Sequence, residues 1–209
     1  MKISKIILAI ILVLIFSCSG KVNKSDKQVK QIEKEIQQLE EPKAKSKYLE
    51  KILEDDQKVR NGDQSAKLVA KYGIDSPEYK EYVQNQWKQD KINLIKIEKY
   101  LEFHGYPNKQ MSEKATTALW MVIHHAQGYQ VRERNFKIIY EAYLTGKIDE
   151  NAISFYLGRM YKMKNGERLK MESPYQMKDE INQLIKGLNL ENEKAEVHKR
   201  VEKKKLKKN

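Results

Sequence analysis

The sequence predicts an all-α fold, a multi-helix domain with an N-terminal amphipathic helix and a basic C-terminal helical tail. Glycine and proline, the residues that most often interrupt helices, number only nine and four in 209 residues. Apolar residues recur at spacings of three and four along most of the chain. No stretch shows the strict alternation of apolar and polar residues that is typical of a half-buried strand. Helices are therefore expected almost throughout.

The first residues are typical of an export signal. Lys2 and Lys5 precede an unbroken apolar run from Ile6 to Phe16, and small residues follow this run. Cations, a short apolar run and a small-residue zone, in that order, are typical of a secretory signal peptide. The run is much shorter than the roughly 20 residues that a membrane-spanning helix needs. We therefore expect residues 1–17 to be a signal peptide rather than a permanent membrane anchor.

The end of this signal carries the only cysteine of the chain. Ile15-Phe16-Ser17-Cys18 resembles the lipobox of bacterial lipoproteins, although Phe16 is bulkier than the residue usual there. The resemblance implies that Cys18 receives a diacylglyceryl group and becomes the acylated first residue, and two or more acyl chains anchor a protein stably. An ordinary signal peptide with an incidental cysteine is the alternative. Lipidation would leave no thiol, which excludes disulfides, cysteine metal ligands and a cysteine nucleophile.

The residues after Cys18 bear on where the protein would reside. Residues 18–25 are short and polar, as a lipidated tether would be. The residue after the lipidated cysteine is Ser19 rather than an aspartate. In the familiar Gram-negative scheme of lipoprotein sorting, this fits a location at the outer membrane. Lys21 and Lys24 do not resemble an acidic surface-export tag. We therefore expect a lipid-anchored protein of the cell envelope, at the outer membrane and facing the periplasm.

Beyond the tether, residues 26–41 are expected to form the amphipathic helix. Val29, Ile32, Ile36 and Leu39 make a stripe that resembles a short coiled-coil seam, whose partner is either the same chain or a second copy. Residues 44–189 are expected to form the helical domain. Its helices are predicted at about 44–60, 77–104, 113–126, 131–144, 149–163 and 174–188. In the second of these helices the candidate buried positions are Trp87, Ile92, Ile95 and Tyr100.

The charge balance is strongly basic. The chain has 41 Lys and Arg against 29 Asp and Glu, which gives a formal net charge of +12. Two of the lysines lie in the signal. Such a surface suits lipid headgroups, cell-wall polyanions or nucleic acid, although export makes nucleic acid an unexpected partner. The alternative is that the lysines only solvate helix faces. Residues 190–209 are expected to be a frayed or solvated helix whose basic tip, 203–208, contacts anionic headgroups or the cell wall.

Several short motifs together resemble a bacterial family built on a helical domain of unknown function. They are Asp56-Gln57-x-x-Arg60, Asn93, Gly105-Tyr106-Pro107, Ala118-x-Trp120-x-x-x-x-His125-Ala126 and Gly158-Arg159. The family pattern is D-Q-x-x-R, G-W-P, W-x-x-x-Q-H-A-D and D-R, and the resemblance spans residues 48–170. The chain departs from that pattern at Tyr106, His124, Gln127 and Gly158, and it lacks a Q-x-Y-G ending. The resemblance implies a fold and a site position, but no established activity.

Four residues are candidates for a site: Asp56, Arg60, His125 and Arg159. Asp56 and Arg60 lie four apart and therefore on one helix face, in the order that favours an ion pair. His125 falls at the edge of the apolar face of its helix, where histidine can serve as a general base or a ligand. The alternatives are a structural salt bridge, a core-edge histidine with one hydrogen bond, and a structural arginine.

The sequence offers no support for a metal or cofactor site. His124 and His125 are adjacent, so they diverge on a helix and cannot supply the i, i+4 pair of a helical zinc motif. No phosphate-binding glycine loop, nucleophile elbow or paired-carboxylate signature is present. We therefore expect no cofactor and a non-enzymatic binding or structural module of the envelope. The alternative is a hydrolase-like enzyme or an anionic-ligand-binding protein that uses the four candidate residues.

Overall fold

The computed structural model describes residues 24–107 and 110–207, and in these ranges its regular secondary structure consists of helices joined by turns and loops, with no strand. The prediction of an all-α fold is confirmed. The helices are α1 (Lys24–Gln37), α2 (Pro42–Lys58), α3 (Gly62–Tyr72), α4 (Pro77–His104), α5 (Glu113–His125), α6 (Tyr129–Leu144), α7 (Glu150–Asn165), α8 (Met177–Leu188) and α9 (Glu191–Leu206). The signal peptide, Cys18 and most of the tether lie outside the described residues. Within those residues, no helix combines the length and the apolar character needed to cross a membrane.

Local capping explains where three of the central helices begin. The side chains of Ser76, Ser112 and Asp149 each accept a hydrogen bond from the backbone N–H three residues later. Such caps satisfy donors that the first turn of a helix leaves free. All three starts agree with the sequence expectation. α8, however, begins at Met177 and not at Pro174 as predicted, and residues 174–176 are not helical.

The centre of the domain is α5, which packs against α2, α4, α6 and α7. Its buried residues include Ala115, Ala118, Leu119, Val122 and Ile123. Because α5 is covered on several sides, a helix with apolar residues nearly all round is stable there. The position of α5 places His124 and His125, at its C-terminal end, among three neighbouring helices.

The expected buried face of α4 is partly wrong. Trp87 is 46% exposed and Ile92 and Ile95 are half-buried, whereas Tyr100 is fully buried as predicted. No residue in the range 61–89 is buried, and the buried positions of α4 begin at Asp90. The first half of α4 therefore carries apolar residues that the domain core does not reach.

The two ends of the described chain pack on the domain. Ile32 and Ile36 of α1 are buried and α1 packs against α4 of the same chain, so these two residues of the seam are covered without a second copy. α9 is not the frayed or solvated helix that we expected. Val197 and Val201, four apart, are buried and α9 packs against α6 and α8. Glu196, Arg200 and Lys204 of α9 also form ion pairs with α6.

Candidate functional site

The first part of the site joins α2 to the end of α5. Asp56 is fully buried, and its Oδ2 atom lies 2.8 Å from Nδ1 of His125. The side chain of His125 is 16% exposed. No residue in the described part of the chain bonds to its Nε2 atom, which is also not among the buried unpartnered atoms. With Nδ1 engaged by the carboxylate, Nε2 is the ring nitrogen that remains for water or a ligand.

Arg60 links this pair to α4. Its Nη1 atom donates to the main-chain oxygen of Asp56 at 2.8 Å and lies 3.1 Å from Asp56 Oδ1, while Nη2 donates to Asp90 Oδ1 at 2.6 Å. Burial raises the pKa of the Asp90 carboxyl above its usual value, Asp56 adds to the rise, and Arg60 partly offsets it. We call Asp56, Arg60, Asp90 and His125 the acid–base cluster. Asp90 was missed by the sequence analysis.

Amide side chains complete the surroundings of the acid–base cluster. Gln57 Nε2 donates to Asp56 Oδ2 at 2.9 Å, and Gln89 Nε2 donates to Asn93 Oδ1 at 2.9 Å. Asn93 is fully buried, and its Nδ2 atom has no hydrogen-bond partner. The D-Q-x-x-R motif therefore acts as one unit, because its Gln and Arg both contact the carboxylate of its Asp.

Arg159 of α7, the fourth candidate residue, forms no hydrogen bond with this cluster. It is half-buried, and in the described part of the chain no carboxylate lies within ion-pairing distance of its guanidinium. Burial and the nearby charge of Arg60 lower the pKa of Arg159, whereas Asp90 opposes the change. Hydrogen bonds and ion pairs thus connect Asp56, Arg60 and His125. Arg159 interacts electrostatically with the cluster but forms no hydrogen bond with it.

Two further residues beside Arg159 were not singled out as site residues. His124 is 1% exposed, and Arg132 is fully buried. Burial, Arg159 and Arg132 lower the pKa of His124 to about 3, and burial and Arg159 lower the pKa of Arg132 to about 10. Arg132 donates to the main-chain oxygens of His124 and Gly128. Among the described residues no carboxylate pairs with it, although buried charges usually have such a partner.

His124 and Arg159 line a cleft between α5, α7 and α8. Its volume is about 630 Å³. We call it the basic cleft, because His124, Arg159, Lys162 and Arg168 line it and Glu180 is its one acidic lining residue. A second hollow of about 920 Å³ adjoins it, and the two share Ser154 and Phe155. The basic cleft is therefore one end of a longer groove along α7.

In the acid–base cluster, an arginine side chain lies between the two carboxylates, where a metal ion would have to bind. The Arg60 guanidinium contacts both Asp56 and Asp90. Across residues 24–107 and 110–207, no three His, Cys, Asp or Glu side chains are grouped so that they could hold a metal ion. The chemistry that the cluster offers is proton transfer and charge recognition.

Comparison of the chain with protein-family models, with curated proteins and with solved structures finds no match. The acid–base cluster and the basic cleft must therefore be interpreted from their own residues. Two properties stand out: an oriented histidine with an open ring nitrogen, and cations that have no carboxylate partner among the described residues.

Proposed function

We propose that this protein is a lipid-anchored lipoprotein of the cell envelope whose helical domain binds a small anionic ligand in the basic cleft. The observation that carries the proposal is that Arg159 lines the cleft without a carboxylate partner in the described chain, next to the buried and likewise unpaired Arg132. A guanidinium matches the geometry of carboxylate and phosphate oxygens through paired hydrogen bonds.

The energetics favour an anion at this position. Burial disfavours the charged forms of Arg132 and Arg159 and lowers the pKa of both; repulsion from Arg159 adds to the change at Arg132, and repulsion from Arg60 adds to it at Arg159. A bound phosphate or carboxylate would relieve that repulsion. Hydrogen bonds to charged groups contribute roughly 1.5–3 kcal/mol each. Two such bonds to Arg159, with Lys162 and Arg168 nearby, would be enough for measurable affinity.

A second candidate function is favoured by the contact between Asp56 and His125. A buried carboxylate that fixes one ring nitrogen and leaves the other open is the arrangement that general-base catalysis needs. In that case a substrate would bind beside Nε2 of His125, which is not among the residues that line the basic cleft, and water activated by His125 would hydrolyse it. Arg60 and Asp90 would keep Asp56 in position. Loss of turnover in His125→Gln, with ligand binding retained, would identify this activity.

The binding proposal is tested by calorimetric titration of inorganic phosphate into the full chain, purified in detergent. We expect Arg159→Gln to abolish most of the heat of binding, because it removes the guanidinium that lacks an intrachain partner. Arg134→Gln is the matched control, because Arg134 is an exposed arginine already paired with Glu98. Equal affinities in all three proteins would overturn the proposal.

The anchor is tested separately. We expect the native protein to incorporate labelled fatty acid and to partition into the detergent phase, and Cys18→Ser to lose both properties. A native protein that retains Met1 or a free thiol would contradict the lipidation. Contact of the basic tip with anionic surfaces predicts salt-sensitive sedimentation with anionic vesicles. Substitution of Lys203, Lys205 and Lys207 by glutamine should weaken it, and salt-independent sedimentation would refute that contact.

A further inference from the structure

We infer that the ligand of the basic cleft carries a flat ring as well as an anionic group, and that the ring stacks on Phe155. This inference rests on the proposed function and specifies the class of ligand. The ligand would be an aromatic phosphate or carboxylate, such as a nucleoside monophosphate or a simple aryl phosphate.

Phe155 is a large aromatic residue that is exposed to solvent, although the helix that carries it packs in the core. It is 59% exposed and lines both the basic cleft and the adjoining hollow. One face of its ring stacks on His124, with centroids 4.3 Å apart and an interplanar angle of 20°. His124 in turn meets the edge of the Trp120 ring at 6.2 Å. One face of the Phe155 ring is therefore packed on His124, while much of the side chain remains exposed to solvent.

The spacing of Phe155 and Arg159 suits a ligand with two parts. Residues four apart on a helix lie on the same face, with their Cβ atoms roughly 5–6 Å apart. A ring on Phe155 therefore places a substituent about one helical turn away, beside the Arg159 guanidinium. Lys162, three residues further along α7, and Arg168 line the same end of the groove. The anionic group would lie among these three cations.

The lining of the adjoining hollow favours a substituted ring over an acyl chain. Apolar residues, including Trp120, Ile148 and Met177, line part of it, but polar ones such as Thr116 and Asn151 line the rest. Ligand sites combine apolar walls with a few polar groups that fix orientation. Thr116 already donates to the main-chain oxygen of Glu113, so the exposed Asn151 amide is the group that a hydroxyl or ring nitrogen of a larger aromatic ligand would pair with. An acyl chain would offer that amide no partner.

The test compares four probes on the full chain in detergent: inorganic phosphate, hexyl phosphate, phenyl phosphate and adenosine monophosphate. Stacking on an aromatic side chain predicts that the two ring-bearing probes bind roughly 5- to 150-fold more tightly than inorganic phosphate. Phe155→Leu should remove that gain and leave the affinity for inorganic phosphate unchanged. Phe103→Leu, which alters another exposed phenylalanine, is the control.

The outcomes separate this inference from the proposed function. If Phe155→Leu has no effect, or if hexyl phosphate binds as tightly as phenyl phosphate, the stacking inference is overturned. Binding of inorganic phosphate that depends on Arg159 would then still support the proposed function. If none of the probes binds, both fail. A gain for adenosine monophosphate alone supports a nucleotide ligand, and equal gains for both rings support a simpler aromatic anion.

Discussion

The buried His124 makes the stability of the domain depend on acidity. Its pKa is about 3 in the folded protein and 6.5 for an ordinary histidine. Between these values the unfolded chain binds one proton more than the folded chain. Stability therefore rises with pH in that window, by about 1.4 kcal/mol per pH unit. From pH 6 to pH 4, the loss from this one residue is about 2.5 kcal/mol, and below pH 3 it levels off.

His124→Gln removes this titration. We expect the free energy of unfolding of the variant to fall less steeply between pH 6 and pH 4, with the difference from the unmodified protein amounting to about 2.5 kcal/mol. Urea denaturation followed by circular dichroism, at half-unit pH steps, measures both curves. His198→Gln is the control, because His198 is half-buried and bonded to Tyr140 in another part of the domain. Parallel curves for the unmodified protein and His124→Gln would refute the burial of His124 among cations.

Further predictions concern the packing around the site. Asp56→Ala should lower the free energy of unfolding by about 1–3 kcal/mol, because the half-buried His125 and Arg60 lose a hydrogen-bonding partner; Asp55→Ala, next to it, should cost far less, and equal losses would count against the cluster. Gly187→Ala should destabilise α8 by about 1–3 kcal/mol, since an added Cβ would lie 2.5 Å from the Tyr161 ring. Gly158→Ala should instead stabilise α7 by up to about 1 kcal/mol, because no atom lies within 4 Å of its added Cβ; thermal unfolding that shifts both variants in one direction would contradict this.

Much of the fold could be predicted from local patterns. The caps at Ser76, Ser112 and Asp149 are satisfied within one turn, so the sequence alone identifies these helix starts. Which face of a helix is buried depends instead on distant neighbours. Trp87 was a candidate buried position, but the first half of α4 extends beyond the buried core.

The same distinction applies to the site. Asp56 and Arg60 share one helix face, and the position of His125 at the edge of a buried face follows from helical periodicity. Asp90 and Arg132 had no comparable signal, because charged residues usually lie at the surface. Their burial results from contacts between helices that are far apart in sequence. The pairing of Arg60 with Asp90, which are 30 residues apart, is of this kind.

Two residues of the basic cleft leave it without a further negative charge. Gly158 lines the cleft next to Arg159 and has no side chain, whereas an acidic side chain at this position would add a negative charge beside Arg159. His124 supplies the ring on which Phe155 stacks.

Binding of an anion by the Arg159 guanidinium can be observed by nuclear magnetic resonance of the arginine side-chain Nε–Hε groups during a titration of the full chain with inorganic phosphate. We predict that the Arg159 resonance shifts and saturates, while that of Arg134, which is already paired with Glu98, stays in place. An Arg159 resonance that does not move at saturating phosphate, or that moves only in parallel with Arg134, would show that Arg159 does not bind the anion.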